Sequence, residues 1–250
     1  MMKYFPIQIV DDFFDNPDEI VKFANSLKFK RDKFGDWPGE RTDYLHNIDK
    51  TFFNEFLGKV LALSFDYKYH NITWENVQLS FQKTKPIDIK NKNNILNRGL
   101  IHRDGDYPLV GLVYLNKNAD PESGTSIFNL KNNIAEPSTK KIKQEIYSKK
   151  FNELKNKDFE NLKKLLTTDQ NSYYETCRVN NIYNRLFAYD GNNYHRANSF
   201  FTGEEERLTL VFFIKQINSS VFFPAQRSRN YKLNEKNDNT KGKLGKKRNN

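Results

Sequence analysis

The sequence predicts an α+β, β-dominated fold, and three observations carry that prediction. The length of 250 residues suits one domain of barrel or jelly-roll type with a sizeable core. Runs rich in β-branched and aromatic residues, bounded by Pro, Gly and Asn, recur through the central and C-terminal parts. Helical periodicity is confined to an N-terminal pair of segments and to one charged stretch between the strand-like runs. With 37% hydrophobic residues and a mean hydropathy of −0.84, the core is modest and the surface polar. The 21 Phe and 13 Tyr must therefore supply much of the apolar volume.

Lys3 to Asp11 reads as a strand. Asn16 suits a helix N-cap, Pro17 the first helical position, and Asp18 and Glu19 the positive helix end. This helix is expected to run to about Leu27, burying Ile20, Phe23, Ala24 and Leu27. Trp37-Pro-Gly-Glu-Arg-Thr42 reads as a loop, with Arg41 either a site contact or a surface residue on a turn. Asp49 is placed to cap a second helix from Lys50 to about Ser64, strongly apolar and suited to the outer face of a barrel. Ile72 to Thr84 reads as a long strand. Val77, Leu79 and Phe81 share one face, and Gln78, Ser80 and Gln82 the other, where they line a pocket or face water. Lys83 to Asn97 reads as a loop.

Leu109 to Leu115 is a second strand, and Glu122-Ser-Gly-Thr-Ser-Ile-Phe128 a turn feeding a short third one. Residues 131–176 read as an insertion, with charged helices over Lys140–Lys150 and Asn152–Leu166 and a thin apolar stripe. Such an insertion covers a site, contacts a partner, or is a solvated excursion. Ile182–Tyr189 and Glu206–Gln216 are the last core strands. One domain is expected over residues 1–225. Residues 226–250 form a tail with nine basic and two acidic residues, which accounts for +7 of the chain's net +10. Its Lys, Asn and Gly content predicts disorder. Electrostatic contact with nucleic-acid phosphates and simple solvation both fit it. Cys177 is the single cysteine, so no internal disulfide forms. No signal segment or membrane-length apolar run is evident, and a soluble, cytoplasmic protein is expected. The abundance of Lys, Asn and Ile points to an AT-rich microbial or viral genome.

Candidate chemistry concentrates at His102, Asp104, His195 and Arg207. Only four His are present, and His102-Arg-Asp104 uses one of them beside a carboxylate. On a strand, residues i and i+2 project together, so His102 and Asp104 are expected to share a face while Arg103 points away. His195, just before another strong strand, can join them from a facing element. Two imidazoles and one carboxylate with open positions match the facial triad of non-haem Fe(II) sites. A His-x-Asp pair by itself is equally an ordinary polar surface feature. Arg207, Thr209, Val211 and Phe213 share one face of the last strand. An Arg within an apolar strand requires a partner. That partner is a structural Asp or Glu, or a bound carboxylate held by paired charge-assisted hydrogen bonds with Thr209 assisting.

Taken together, His102-Arg-Asp104, the strand Leu109–Leu115, Gly124-Thr-Ser-Ile-Phe128, His195 and Arg207-Leu-Thr209 resemble the 2-oxoglutarate- and Fe(II)-dependent oxygenases, especially their prolyl-hydroxylase-like branch. The resemblance covers roughly residues 72–217, and Ile9-Val-Asp-Asp-Phe-Phe-Asp-Asn-Pro17 is similar to the opening of such domains. It implies a double-stranded β-helix (jelly-roll) core with N-terminal supporting helices and a helical insertion. It implies Fe(II) on His102, Asp104 and His195, and 2-oxoglutarate anchored by Arg207 and Thr209, with Tyr114 a further candidate. With O2 as oxidant, the implied reaction hydroxylates an unactivated C–H bond of a peptidyl side chain or small metabolite and releases succinate and CO2. Asp104 speaks against halogenation, which needs that carboxylate position vacated. The family's basic residue is Lys in the closest prolyl-hydroxylase relatives, and the insertion is longer than a simple hairpin. Alternatives are a non-catalytic jelly-roll binding protein, a nucleic-acid-modifying oxygenase suggested by the basic tail, and a cupin-type metalloenzyme, which leaves Arg207 unexplained.

Overall fold

The larger of two antiparallel sheets follows the order β1 (Gln8–Val10), β8 (Leu186–Tyr189), β5 (Leu109–Tyr114), β10 (Arg207–Ser219), β4 (Ile72–Thr84), β3 (Glu40–Arg41) and β2 (Lys30–Arg31). The smaller has the order β7 (Tyr173–Val179), β6 (Thr125–Leu130) and β9 (Tyr194–Ala197). The structure, a computed structural model, describes residues 3–137, 140–203 and 206–230. Val110, Leu112, Tyr114, Phe187, Tyr189 and Val211 of the larger sheet pack against Ile127 and Val179 of the smaller. The result is the expected β-dominated jelly roll with supporting helices.

The outer face of the larger sheet is closed by α1 (Pro17–Ser26) and α3 (Lys50–Ala62). Phe56, Leu57, Val60 and Leu61 of α3 pack with Leu79, Phe81, Leu210, Phe212 and Ile214 in one core. Burying each such side chain contributes roughly 1.5–3 kcal/mol. The strand periodicity explains the division of labour. In β10, Leu208, Leu210, Phe212 and Ile214 enter this core, while Arg207, Thr209, Val211 and Phe213 face inward between the sheets. In β4, Val77, Leu79 and Phe81 join the core, while Gln78 and Gln82 reach the interior cavity. β5 lies between β8 and β10 and is buried on both faces, so it reads as a continuous apolar run.

Helix α3 begins as expected, with Asp49 Oδ1 accepting from the Phe52 amide at 2.9 Å. Asn16 makes no such side-chain cap at α1. The first strand is shorter than Lys3–Asp11. Pro6 has no N–H to donate, and the amides of Tyr4 and Phe5 donate to Asp190 Oδ2 instead of a ladder. The insertion closes at 172 rather than 176, because Tyr173 already pairs with Leu130 in the smaller sheet. A short helix α2 (Leu45–Ile48) precedes α3, and the insertion holds α4 (Lys140–Tyr147) and α5 (Asn156–Ser172). A 3-10 turn at Phe151–Glu153 divides them. Asp158 Oδ2 accepts from the Lys155 amide at 2.8 Å, and this sets the start of α5 later than Asn152. At the C-terminus α6 (Pro224–Asn230) overlaps the segment read as tail. Arg227 donates from Nη2 to Ser64 O at 2.7 Å, which ties this helix to the domain. Residues 231–250, the rest of the basic tail, lie outside the described residues. Among the described residues no helix is long and apolar enough to cross a membrane.

Candidate metal centre and anion-binding cavity

His102 and His195 exchange both backbone hydrogen bonds, His102 N to His195 O at 3.1 Å and His195 N to His102 O at 2.9 Å. This single antiparallel bridge puts both rings on one side, with centroids 4.4 Å apart. His102-Arg-Asp104 is not a continuous strand, as the residue alternation had suggested. Beyond the bridge the chain turns: the amides of Asp104 and Gly105 both donate to Gly191 O, and Gly105 takes φ +49°. That left-handed conformation favours glycine and ends any ladder there. The turn brings Asp104 round to the imidazoles. Its Oδ1 lies 3.8 Å from His102 Nε2 and its Oδ2 3.4 Å from His195 Nε2.

One potential ligand atom from each of the three residues lies within 4.8 Å of the other two. Both imidazoles are fixed in one tautomer. His102 Nδ1 is 2.8 Å from Leu100 O, and His195 Nδ1 is 3.0 Å from Asn193 O. A carbonyl only accepts, so each Nδ1 carries a proton and Nε2 is the ring atom left facing Asp104. Burial, then the charge of Lys143 and the neighbouring His195, hold His102 well below the usual imidazole range, in its neutral form. Asp104 Oδ2 is buried with no hydrogen-bond partner. Two imidazoles turned by their Nδ1 contacts and an unsatisfied buried carboxylate oxygen suit a divalent first-row cation.

The cluster opens into a cavity of about 1080 Å³ between the two sheets. Arg207 lies in its wall at 4% exposure. Its Nε donates to Ser123 O at 3.3 Å, and its guanidinium lies 5.5 Å from the Tyr114 ring. One terminal nitrogen, Nη2, is buried and has no partner. Thr209 Oγ1 and Thr125 Oγ1, in the same wall, are also buried and unpartnered. Tyr114 is buried beside Arg207 and outside the cavity lining, and its hydroxyl leans toward Arg207 and Thr125 without reaching hydrogen-bond geometry. Among the described residues no carboxylate pairs with Arg207, so the structural ion pair that its strand position allowed is not seen. Burial pushes its guanidinium below the usual range, opposed only by Tyr114 and Tyr189. Several orphaned donors converging in one wall mark a place shaped for a ligand.

Arg41 belongs to the cavity and not to a surface turn. Its Nε donates to Gln82 Oε1 at 2.8 Å, and its guanidinium lies 4.2 Å from the Trp37 ring and 5.2 Å from that of Phe213. Sequence reasoning missed Lys143 and assigned no role to Tyr189 or to Thr125, although Thr125 lies in the Gly124-Thr-Ser-Ile-Phe128 motif. Lys143 comes from α4 and lines the cavity. The ring of Tyr189 is centred 4.9 Å from that of His195. Only the fold brings Lys143 and Tyr189 to the cavity, and no local pattern marks Lys143.

A jelly roll is the fold that the oxygenase-like motifs implied, and solved structures share that fold. HygX from Streptomyces hygroscopicus, solved with nickel, 2-oxoglutarate and hygromycin B bound, aligns with a TM-score of 0.51 at 12% identity, covering 88% of this chain and 86% of its own. HygX with nickel and 2-oxoglutarate aligns at 0.50 and 11% identity, covering 88% and 85%. A Pseudomonas putida prolyl-4-hydroxylase aligns more loosely, at 0.43 and 9% identity, covering 84% and 92%. No curated protein matches the sequence. Residues 3–200 match the model of a family of unknown function, DUF6445, and the chain belongs to that family.

Proposed function

We propose that the chain is a 2-oxoglutarate- and Fe(II)-dependent dioxygenase that hydroxylates an unactivated C–H bond of a peptidyl side chain or small metabolite, releasing succinate and CO2. The observation that carries this reading is the pairing, in one cavity, of the His102–Asp104–His195 cluster with the unpartnered buried Arg207. His102, Asp104 and His195 would hold Fe(II), which with 2-oxoglutarate and O2 supplies the oxidising chemistry. The carbonyls of Leu100 and Asn193 keep both imidazoles in the tautomer that offers Nε2. Arg207 and Thr209 receive the distal carboxylate of the co-substrate, with Tyr114 buried beside the guanidinium. Val110, Leu112, Val211 and Phe213 exclude water from the same wall.

The test is succinate formation by the full chain with Fe(II), 2-oxoglutarate and O2, without added substrate. The wild type is expected to release succinate in slow uncoupled turnover, and His102→Ala to release none. Equal background in both proteins would overturn the assignment.

A further inference from the structure

The cavity lining carries two more cations, from elements far apart in sequence. Lys143 projects from α4, one turn before Tyr147, which also lines the cavity. Arg41 comes from β3. Neither is within ion-pair distance of a carboxylate among the described residues. Of the acids in the same lining, Asp104 belongs to the His cluster and acts on both cations from beyond ion-pair distance, and the others have hydrogen-bond donors of their own. Asp32 accepts from the amides of Phe34 at 3.1 Å and Asp36 at 2.7 Å. Asp36 accepts from Gln144 Nε2 at 2.7 Å, and Glu136 from Arg103 at 2.6 Å.

Arg41 is held as a recognition group. Gln82 takes its Nε, and Trp37 and Phe213 lie beside its plane. The terminal edge, two parallel N–H donors, makes no hydrogen bond among the described residues and fits an oxyanion. Burial pulls both cations below their usual ranges, Arg41 to about 10. A bound anion would offset that cost.

We infer that Lys143 and Arg41 form a subsite for an anionic group of the substrate, so that the hydroxylated molecule carries a carboxylate or phosphate. This rests on the cavity being the active site proposed above. Under that reading, the charges of iron and Arg207 are balanced by Asp104 and the two carboxylates of 2-oxoglutarate. The co-substrate therefore leaves Lys143 and Arg41 without an ion-pair partner, with Asp32 and Asp36 acting on them only from a distance. The insertion, through α4, then supplies a substrate-binding residue, and neutral analogues of the substrate bind poorly because they leave half-buried cations unpaired.

The test is calorimetric titration of the full chain, anaerobic and saturated with Fe(II) and 2-oxoglutarate, with two matched pairs: benzoate and benzamide, phenyl phosphate and phenol. At least one anion is expected to bind in the millimolar range or tighter, and its neutral partner not to bind. The two anions separate carboxylate from phosphate recognition. Lys143→Met is expected to weaken the anion by about tenfold or more, the scale of one charge-assisted hydrogen bond, and Lys143→Arg to restore it. Affinity for 2-oxoglutarate stays unchanged in both variants. Binding of neither anion, equal binding of a neutral partner, or an unaltered anion affinity in Lys143→Met overturns the inference. Failure of 2-oxoglutarate to bind at all is a failure of the co-substrate assignment instead. The anion titration then still reads Lys143 on the chain alone.

Discussion

Replacing Arg207 by methionine separates a ligand anchor from a structural residue, because the two roles predict opposite signs. In the protein without ligand, Arg207 is a buried cation with one 3.3 Å hydrogen bond, an aromatic neighbour and a buried nitrogen without a partner. Removing the bond to Ser123 costs about 1 kcal/mol. Relieving a buried, uncompensated charge with an apolar side chain of similar size gains about 1–4 kcal/mol. The net expectation is a protein at least as stable as wild type, by roughly 0–3 kcal/mol. At about 2–4 °C per kcal/mol for a chain of this size, the melting temperature rises or holds. Co-substrate binding moves the other way. Two charge-assisted hydrogen bonds at about 1.5–3 kcal/mol each place the loss of 2-oxoglutarate affinity at about a hundredfold or more. Thermal unfolding with and without 2-oxoglutarate reads both quantities in one experiment. At a ligand concentration of about a hundred times its Kd, wild type gains about 2.7 kcal/mol, a gain that Arg207→Met should lose. A variant destabilised by about 3–5 kcal/mol without ligand, as when one partner of a buried ion pair is removed, and with unchanged 2-oxoglutarate affinity, would refute the reasoning.

Two further predictions concern the frame around the site. A Cβ on Gly111 would lie 2.3 Å from Phe187 O and 2.7 Å from Phe212 Cζ, so Gly111→Ala should cost about 1–3 kcal/mol in chemical denaturation. Wild-type stability in that variant would show that the centre of the larger sheet is looser than described. The Asp158 carboxyl is held below its usual range by its hydrogen bonds to Lys149 and the Lys155 amide. A depressed carboxylate pKa contributes stability above its ordinary value of 3.8 and loses it as pH falls below that. Asp158→Ala should therefore lower the melting temperature at pH 7, with the gap to wild type closing in the acid range. A gap that stays constant with pH would locate the effect elsewhere.

The long strands were legible because their periodicity is local. β4 has the bounds that its alternation predicts, Ile72–Thr84, and both faces of β10 fall as read. β10 runs on to Ser219 beyond the expected Gln216, because β4 offers pairing partners down to Ile72 that polar residues accept as readily as apolar ones. The strand expected at His102 was not found. A two-residue alternation there is satisfied equally by one bridge and a glycine turn, and only the contact with Gly191 decides between them. The insertion misled for a related reason. Lys- and Asn-rich helical sequence sets its boundaries by capping and by the start of β7, and neither changes the composition. Lys143 and Arg41 were beyond reach as a pair. One is an ordinary helix lysine and the other follows a turn, and their common cavity exists only once the sheets are assembled.

The most direct test of the account is an anaerobic optical titration of the full chain with Fe(II) and then 2-oxoglutarate. The account predicts a visible charge-transfer band in wild type that is absent in His102→Ala and weakened in Arg207→Met. Iron-loaded wild type without a band on saturation with 2-oxoglutarate would contradict it.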